Sequence, residues 1–381
     1  MPYNIDPRQQ AVRDEVKAFA EKHIYPVSVE WDQKPEPRPF PHDMYRKFGE
    51  AGFIGYNSPT EYGGKAKSNL EYITLIEELC YHDAAMGLLC AVGELAAYPV
   101  IHFANDAQKK KYLPDAIAGK KVIAFVLTEP NAGSDAANQQ TVAVDKGDHY
   151  LVNGEKIFIM HGDVAEIGVL FCKIEGAPKM SAMIVDTNQP GWEKRTLRNK
   201  MGMRAATTGG IVIKDVKVPK ENLMGEIGKG FRYAMMTLDG ARIGVAAQGV
   251  GICQRALDEA VKYSKKRIAF GAPIAKLQAI QWMIADMAVK TEAARLMCYK
   301  AAQLQDAGQP FSLEAAQAKL FCAEAANFCV DKAMQIHAGY GYIGEFSPIE
   351  KLYRDQRVLE IYEGTSEVQR LVIAGNVIGR G

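Results

Sequence analysis

The segment 141–154, TVAVDKGDHYLVNG, decides the fold class of this 381-residue chain. Its two short runs of β-branched and aromatic residues alternate with the turn signals Lys146-Gly147-Asp148 and Asn153-Gly154. This pattern is typical of strand, turn, strand, turn. Similar short runs follow at Ile157–Ile159, Val169–Phe171, Ala182–Val185 and Ile211–Ile213. We therefore predict a small antiparallel β-domain in the middle of the chain.

Helical patterns precede this β-domain. Asp6 and Pro7 make a cap and a first-turn signal, and apolar residues follow them at helical spacing. Ser68 with Glu71 forms a capping box ahead of a second helical run. An Ala-rich and Leu-rich stretch continues to Pro99. The chain up to about residue 120 is therefore predicted to be helical.

Long helices are also predicted after the β-domain. The stretches 229–265 and 274–306 contain no internal proline. An apolar stripe at helical spacing predicts a bundle core, and its members are Leu277, Ile280, Ile284, Met287 and Ala288. The predicted fold class is α+β, mainly α. It has an N-terminal helical domain (1–120), a middle antiparallel β-domain (121–225) and a C-terminal four-helix bundle (226–381).

The composition of the chain argues against nucleic acid and membranes as partners and indicates the compartment. The 46 basic and 45 acidic side chains give a formal net charge of +1, which leaves no electrostatic footprint for nucleic acid or an anionic membrane. No apolar stretch is expected to reach the roughly 18 residues that span a bilayer. The N-terminal sequence Met1–Asn4 lacks a presequence pattern. We expect a cytoplasmic protein.

Cysteine and histidine spacing predicts neither disulfides nor a metal site. The seven cysteines are an odd number and form no CxxC pair, and the seven histidines show no HExxH spacing. Buried free thiols in a reducing compartment explain the cysteines best.

The segment Tyr362–Arg370, YEGTSEVQR, is the most informative about chemistry. Ser366 with Gln369 makes a capping-box pattern at the start of a helix. Glu363 then lies in a turn at the positive end of that helix. A desolvated carboxylate held in this way can act as a general base. The alternative is a solvated glutamate in a surface turn.

Another segment imitates a dinucleotide fingerprint. Gly339–Gly344 matches GxGxxG, and an acidic residue follows it, Glu363. A Rossmann site needs a strand before the glycines, whereas Leu320, Ala325 and Phe328 precede them at helical spacing. We reject the Rossmann interpretation.

A polar loop and two arginines are further ligand candidates. The loop Thr128–Asp135 offers backbone N–H groups and hydroxyls to a phosphate or a heteroaromatic ring. An ordinary connection between strands is the alternative. Arg242 and Arg267, in or beside long helices, are also candidates for contact with a ligand. The alternative is that both are solvated arginines on a helix surface.

Taken together, these segments resemble the acyl-CoA dehydrogenase family along essentially the whole chain. The matching segments occur in the family's order: Phe125–Asp135, Lys200–Arg204, Gly225–Phe231, Arg267–Pro273, Gln335–Gly341 and Leu352–Arg370. The order of helices, β-domain and helices is also the family's fold.

The resemblance implies an FAD enzyme that introduces a double bond between Cα and Cβ of an acyl-CoA thioester. Glu363 would remove the α-proton while the β-hydrogen leaves as a hydride to flavin N5. The Glu363 backbone N–H and a flavin hydroxyl would polarise the thioester carbonyl as an oxyanion hole. Substrate binding would strip water from Glu363 and raise its pKa.

The resemblance also implies ligand contacts by position. FAD contacts are implied for Phe125, Leu127, Thr128, Ser134, Phe158, Ile159, Met160, Arg267, Phe270, Gln278, Gln335, Gly339, Thr365 and Glu367. Substrate contacts are implied for Ser134, Asp239, Arg242, Gly364 and Glu94. The family shares each FAD between subunits, so a homo-oligomer is implied, expected to be a tetramer. Electron-transfer flavoprotein is the implied redox partner.

Three positions depart from the family pattern around the cofactor. Met160 stands where the family usually has a Thr or Ser that donates to flavin N5, and a methionine cannot donate. This departure puts the flavin potential and the electron acceptor in question. Ala269 and Ala338 replace usual FAD-binding residues, and each is expected to weaken a single contact.

Glu94 departs from the family pattern near the acyl pocket, where many members have Ser. A second carboxylate there can remove a proton from a distal carbon, for example of an alicyclic substrate. The favoured alternative is a structural glutamate that is hydrogen-bonded to helix backbone or faces away from the pocket. Met86 replaces the Arg of glutaryl-specific members, so a dicarboxylyl substrate is not expected.

The predicted function is that of an FAD-dependent acyl-CoA dehydrogenase. One alternative is an oxidase or an enoyl-CoA reductase that uses another electron acceptor. A second is a non-catalytic family member that acts as a binding protein. The presence of Glu363 argues against the second alternative.

Overall fold

A computed structural model describes residues 6–379, so the sequence Met1–Asn4 used for the targeting expectation lies outside the described residues. The N-terminal helices are α1 (Pro7–Phe19, continued by a π-helical turn to Ile24), α2 (Ser28–Gln33), α3 (His42–Glu50), α4 (Asn69–His82), α5 (Ala84–Phe103) and α6 (Asp106–Ile117). Two predicted helix starts are confirmed. Asp6 accepts from the Arg8 N–H at the start of α1, and Ser68 and Glu71 form a capping box at α4.

The helix α5 corrects one expectation. Its 20 residues are long and apolar enough to cross a membrane, so the expectation that no stretch approaches that length was wrong. However, 83% of its most apolar window is buried inside the protein, and α5 packs against α4, α6 and α7. The helix owes its apolar composition to its place in the core.

The middle of the chain forms a β-sheet, as predicted. Its strands are β1 (Ile123–Val126), β2 (Val142–Asp145), β3 (His149–Met160), β4 (Ile167–Ile174), β5 (Met180–Asp186), β6 (Trp192–Thr196), β7 (Thr208–Pro219) and β8 (Leu223–Met224). The order is β6-β7-β3-β2-β4-β5-β8, with β1 beside β4. The β1–β4 and β2–β4 pairs are parallel and the other pairs are antiparallel. Long connections before β4 permit this parallel pairing, which the sequence pattern did not predict.

The two predicted turns of the segment 141–154 have different outcomes. Lys146-Gly147-Asp148 is the β2–β3 turn, with Gly147 at φ +94°. Asn153-Gly154 is not a turn, because β3 continues through it with a register shift between Val152 and Gly154 against β7. A Cβ at Gly154 would lie 2.3 Å from the Thr141 hydroxyl oxygen, so a close approach explains this glycine.

The C-terminal part is helical. It comprises α7 (Gly230–Lys266), the short hairpin β9 (Ile268–Ala269) and β10 (Ala272–Pro273), α8 (Gln278–Asp306), α9 (Ser312–His337), α10 (Gly339–Tyr342), α11 (Ile349–Gln356) and α12 (Ser366–Ile378). The helices α7, α8 and α9 pack on one another, and α12 packs on α9. The helix α7 also packs against α4 and α5, which joins the two helical parts. The domain boundaries near residues 120 and 225 stay predictions.

Two sequence interpretations are settled in this part of the chain. The glycines from Gly339 follow helix α9, so rejection of the Rossmann fingerprint is confirmed. The predicted apolar stripe of α8 is confirmed for three of its five members, because Met287 is buried and Ile280 and Ile284 pack half-buried against the core, whereas Leu277 and Ala288 are exposed. The opposite face of α8 carries two exposed hydrophobic residues, Trp282 and Val289. All seven cysteines are buried free thiols, as predicted.

Candidate active site

Glu363 lies in a turn between a 3₁₀ segment, Arg357–Glu360, and α12. Its φ is +54°, and that of Gly364 is +90°. A non-glycine residue in the left-handed region costs on the order of 1 kcal/mol or more and persists only where neighbours hold it. Contacts from outside the turn must therefore fix its shape.

Two buried side chains supply these contacts. The Gln369 amide donates to the carbonyl oxygens of Glu363 (3.1 Å) and Gly364 (2.9 Å). The Lys319 ammonium, from α9, donates to the same Gly364 carbonyl at 2.7 Å. A Cβ at Gly364 would lie 2.7 Å from the Gln369 amide nitrogen, so this position requires glycine on both steric and backbone grounds.

The predicted capping box at this helix start is wrong. Thr365 is the N-cap, and its hydroxyl accepts from the Val368 N–H at 3.3 Å. Gln369 therefore does not pair with Ser366 but holds the Glu363 turn. The location of Glu363 ahead of the helix is as predicted.

The carboxyl group of Glu363 is desolvated. Its Oε2 atom is buried and has no hydrogen-bond partner among the described residues. Burial raises the pKa of Glu363 to about 7, against the lowering effect of the Arg242 and Lys319 charges. Arg242 is itself buried and pairs with Asp239, three residues earlier on α7. These two predicted substrate residues thus lie on the helix beside the candidate base.

A cavity opens onto Glu363. Its empty volume is about 730 Å³, counting its opening to solvent, and its walls come from α4, α5, α7, β3 and the Glu363 turn. The cavity brings together three residues predicted from the sequence, which are Glu94, Met160 and Glu363. Two carboxyl groups therefore face one cavity.

Glu94 lies on α5 and is 6% exposed. The Ser58 hydroxyl lies 3.2 Å and 3.4 Å from its two carboxylate oxygens. Burial raises the pKa of Glu94 to about 7, with the Ser58 and Gly55 hydrogen bonds acting in the other direction. Because Glu94 lines the cavity, the alternative in which it faces away from the pocket is wrong.

The end of β3 presents an apolar surface next to this cavity. Phe158 is 66% exposed and has φ +57°, at a register shift between β3 and β7. Ile159 is buried, and Met160 reaches the cavity, where its sulfur accepts from the Thr208 hydroxyl at 3.3 Å. An exposed aromatic ring in a strained backbone is common at ligand sites.

The loop Thr128–Asp135 is held beside β3 by a buried ion pair. Lys156 is fully buried and donates to Glu129 Oε1 at 2.8 Å and to the Leu127 carbonyl at 2.9 Å. The Ile157 N–H donates to the Thr128 carbonyl at 3.0 Å. Within this predicted FAD segment, Leu127 is buried, Phe125 and Thr128 are half-buried, and Ser134 is exposed.

The remaining predicted FAD residues are exposed on the C-terminal part and do not line the cavity of Glu363. They are Arg267, Phe270, Gln278, Gln335 and Gly339. Phe270 is 93% exposed at φ +52°, in the β9–β10 hairpin. The Arg267 guanidinium lies over the Tyr340 ring at 5.7 Å. Near the active-site turn, Thr365 is half-buried and Glu367 is exposed.

Sequence reasoning missed the residues that position the site, namely Lys319, Lys156 and Ser58. A lysine among alanines and a cysteine on α9 is a visible signal for Lys319, since such a face is otherwise buried. Lys156 lies inside a strand pattern and gives no comparable signal. Ser58 lies in a loop whose partner, Glu94, is distant in sequence.

The residues present fit a flavin. The exposed ring of Phe158 and the side chain of Met160 suit the face of a planar ring system, and Glu363 has an unpartnered oxygen in the adjoining cavity. The hydroxyl-bearing loop Thr128–Asp135 suits a phosphate or a ribityl chain. Fold and site together define a flavin-dependent oxidoreductase.

Comparison with known proteins assigns the family. The models of the acyl-CoA dehydrogenase N-terminal, middle and C-terminal domains match residues 6–120, 124–216 and 228–378. The chain is 43% identical over 381 residues to a short-chain specific acyl-CoA dehydrogenase of Clostridium acetobutylicum, covering 99% of this chain and 100% of that protein. It is 44% identical over 375 residues to a 3-(aryl)acrylate reductase of Clostridium sporogenes, with 97% and 98% covered.

A solved structure agrees over the full length. It comes from work on the electron transferring flavoprotein of Acidaminococcus fermentans and on flavin-based electron bifurcation. The TM-score is 0.95 at 43% identity, with 100% of both chains covered. The chain belongs to the acyl-CoA dehydrogenase family, whose members are FAD-dependent oxidoreductases.

Proposed function

We propose that this protein catalyses the α,β-dehydrogenation of an acyl-CoA thioester and that Glu363 is the base that removes the α-proton. The observation that carries this proposal is the buried, unpartnered Oε2 of Glu363, which borders a cavity lined mainly by residues of α5 and α7. A pKa of about 7 suits a base that works near neutral pH. Bound FAD supplies the acceptor for the β-hydride.

The protein's own part is to hold the base and exclude water. Lys319 and Gln369 keep the Glu363–Gly364 turn in its left-handed conformation. The positive charges of Arg242 and Lys319 favour the carboxylate form, while burial leaves that carboxylate poorly solvated. The backbone N–H of Glu363 is assigned to the thioester carbonyl, where it stabilises negative charge.

The remaining site residues are assigned by the same proposal. Phe125, Leu127, Thr128, Phe158, Ile159 and Met160 hold the flavin, with Thr365 and Glu367, and Ser134 faces flavin and substrate. Asp239, Arg242 and Gly364 contact the CoA thioester. Arg267, Phe270, Gln278, Gln335 and Gly339 contact the FAD of a neighbouring subunit in a homotetramer. Their surface exposure, and that of Trp282 and Val289 on α8, supports a subunit contact.

Electron-transfer flavoprotein is the proposed redox partner, in the cytoplasm. A similar structure that comes from work on electron transferring flavoprotein supports the partner, and seven free thiols support a reducing compartment. Met160 cannot donate a hydrogen bond to the flavin, so this protein lacks the side-chain donor that the resemblance places at flavin N5.

A second candidate is an enoyl-CoA reductase that runs the same half-reaction in reverse. This candidate is supported by the 44% identity to a relative named 3-(aryl)acrylate reductase. Mixing the protein with acyl-CoA esters without oxygen tests the proposal, because bleaching of the flavin shows dehydrogenation. The reductase would be favoured by a different result. NADH and electron-transfer flavoprotein would bleach the flavin, an enoyl-CoA would restore its colour, and no acyl-CoA would bleach it. No spectral response to any CoA ester would favour a binding protein.

A further inference from the structure

The cavity of Glu363 contains a second carboxyl group that the proposed reaction does not use. Glu94 projects from α5, a helix whose other cavity-lining residues include Leu88, Ala91 and Leu95. Its side chain is buried, and it faces the space that an acyl group would occupy. A charged or protonated carboxyl in such a place requires hydrogen-bond partners.

The protein provides few of these partners. A carboxylate has about four acceptor positions. The Ser58 hydroxyl has one proton to donate, and its oxygen lies 3.2 Å and 3.4 Å from the two carboxylate oxygens of Glu94. The Gly55 N–H is the other donor to this carboxylate. None of the residues that line the described cavity is a lysine or an arginine, and the Tyr72 hydroxyl, which lies near Glu94 in the same lining, makes no hydrogen bond with it. Glu94 therefore retains acceptor capacity towards the cavity.

A neighbouring group adds to this excess of acceptors. Asn57, from the same loop as Ser58, lines the cavity and donates through its amide nitrogen to Asn69 Oδ1 at 3.0 Å. Its own carbonyl oxygen is buried without a partner among the described residues. Glu94 and Asn57 thus both bring hydrogen-bond acceptors to the lining of this cavity, which suits a donor on the ligand.

The chemistry of the acyl group follows from this arrangement. A hydrocarbon tail would displace water from Glu94 and give no hydrogen bond in return, which costs on the order of 1–3 kcal/mol. A carboxylate on the tail would be repelled by Glu94. A hydroxyl or an ammonium group on the tail would donate a hydrogen bond to the acceptors that Glu94 and Asn57 bring to the cavity.

We propose that Glu94 is a specificity-determining residue and that the substrate's acyl group carries a hydrogen-bond donor, a hydroxyl or an ammonium, beyond its Cβ. This inference rests on the proposed acyl-CoA function. It gives Glu94 a binding role, and it requires no second proton transfer.

Equilibrium binding tests this inference without turnover. 2,2-Dimethylacyl-CoA esters have no α-proton, so they cannot be dehydrogenated and their binding to the FAD-loaded protein is measured alone. Matched esters that end in methyl, hydroxyl or ammonium are compared at each chain length from short to medium by isothermal titration calorimetry. The donor-ended ester is expected to bind about 10-fold more tightly than its methyl partner at one length or more. Whichever donor binds more tightly identifies the substrate class.

Variants assign the preference to Glu94. Glu94→Leu is expected to abolish it, whereas Ser58→Ala, which frees a Glu94 acceptor position, is expected to keep it. Glu94→Gln preserves the shape of the side chain and is expected to reduce the preference for the ammonium ester by about 10-fold. If Glu94→Leu fails to fold, this second variant tests whether Glu94 causes the preference. Equal binding of all esters to the wild type, or a preference that persists in these Glu94 variants, overturns the inference. Failure of every 2,2-dimethyl ester to bind, together with no flavin bleaching by unsubstituted acyl-CoA esters, would instead contradict the proposed acyl-CoA function.

Discussion

The ammonium of Lys319 donates to the carbonyl oxygen of Gly364 at 2.7 Å, one residue after Glu363 and 45 positions away in sequence. Lys319 is fully buried in α9, and its own pKa is lowered by burial to about 8. The bond joins the long helical core to the turn that carries the candidate base. The same charge favours the ionised form of Glu363. Lys319 thus both positions the carboxyl group and adjusts its proton affinity.

Replacing Lys319 separates these two effects from general stability. Lys319→Met removes the hydrogen bond and the charge, so the pKa of Glu363 rises further above its usual value. Since the base must be ionised, the ascending limb of the kcat/KM profile is expected to move to higher pH. Turnover at neutral pH is expected to fall about 10-fold. Lys332→Met, at a partly exposed position of the same helix, is the control. An unshifted pH limb in a folded Lys319→Met protein would contradict the electrostatic role.

Gly364→Ala tests the geometry of the turn. The new Cβ would meet the Gln369 amide nitrogen at 2.7 Å, at a backbone φ of +90°. We expect the free energy of unfolding to fall by roughly 1–3 kcal/mol and turnover to fall with it. Gly375→Ala is the matched control, because Gly375 lies within α12 and a Cβ there meets nothing within 4 Å. That substitution is expected to be neutral or stabilising by up to about 1 kcal/mol. Equal effects of the two substitutions in urea unfolding would show that the turn needs no glycine.

The Glu363 turn shows how far the sequence predicts the site. The glutamate ahead of a helix was visible locally, because Gly364 and the polar residues after it mark a helix start. Gln369 was misread, since its spacing from Ser366 imitates a capping box. Its actual partners are the carbonyls of the turn, and this is settled by the helix beginning one residue after Thr365.

The β-domain shows the same limit for the fold. The short β-branched and aromatic runs predicted strands where β2, β3, β4, β5 and β7 lie, but they gave no sign of β6 or β8. Asn153-Gly154 imitated a hairpin turn, although pairing with β7 carries the strand through it. The parallel pairing of β1 with β4 depends on contacts between segments distant in sequence. Local patterns carry no information on such contacts, or on the Lys319 bond to Gly364.

Glu363→Gln tests the assignment of the base. The amide preserves the shape of the side chain but cannot accept the α-proton. We expect the FAD content to be unchanged and the single-turnover rate of flavin reduction by acyl-CoA to fall by at least about 10²-fold. Glu193→Gln, at an exposed position on β6, is the control. Rapid flavin reduction in the Glu363→Gln protein would refute the assignment.

The stability of the protein is expected to depend on pH through Glu94. Burial raises the pKa of this carboxyl to about 7, from an ordinary value of 4.5. Between these two values the unfolded chain loses its proton before the folded protein does, so stability falls as pH rises. The loss of stability caused by burying the ionised Glu94 carboxylate is absent well below pH 4.5 and complete above pH 7. For a group so deeply buried it amounts to about 3 kcal/mol.

Glu94→Gln removes this cost. Urea unfolding is expected to show the variant more stable than the wild type by up to about 3 kcal/mol near pH 8, with a much smaller difference near pH 5. Glu129→Gln is the contrasting control. Although Glu129 is buried, its ion pair with Lys156 holds its pKa below the usual value, so its stabilising effect is already present across this pH range. That variant is expected to be destabilised by about 3 kcal/mol or more, and nearly equally at both pH values, because it leaves Lys156 buried without its counter-charge. A Glu94→Gln effect that did not change between the two pH values would mean that Glu94 keeps the same protonation state throughout. Its burial would then be compensated by groups other than Ser58 and Gly55.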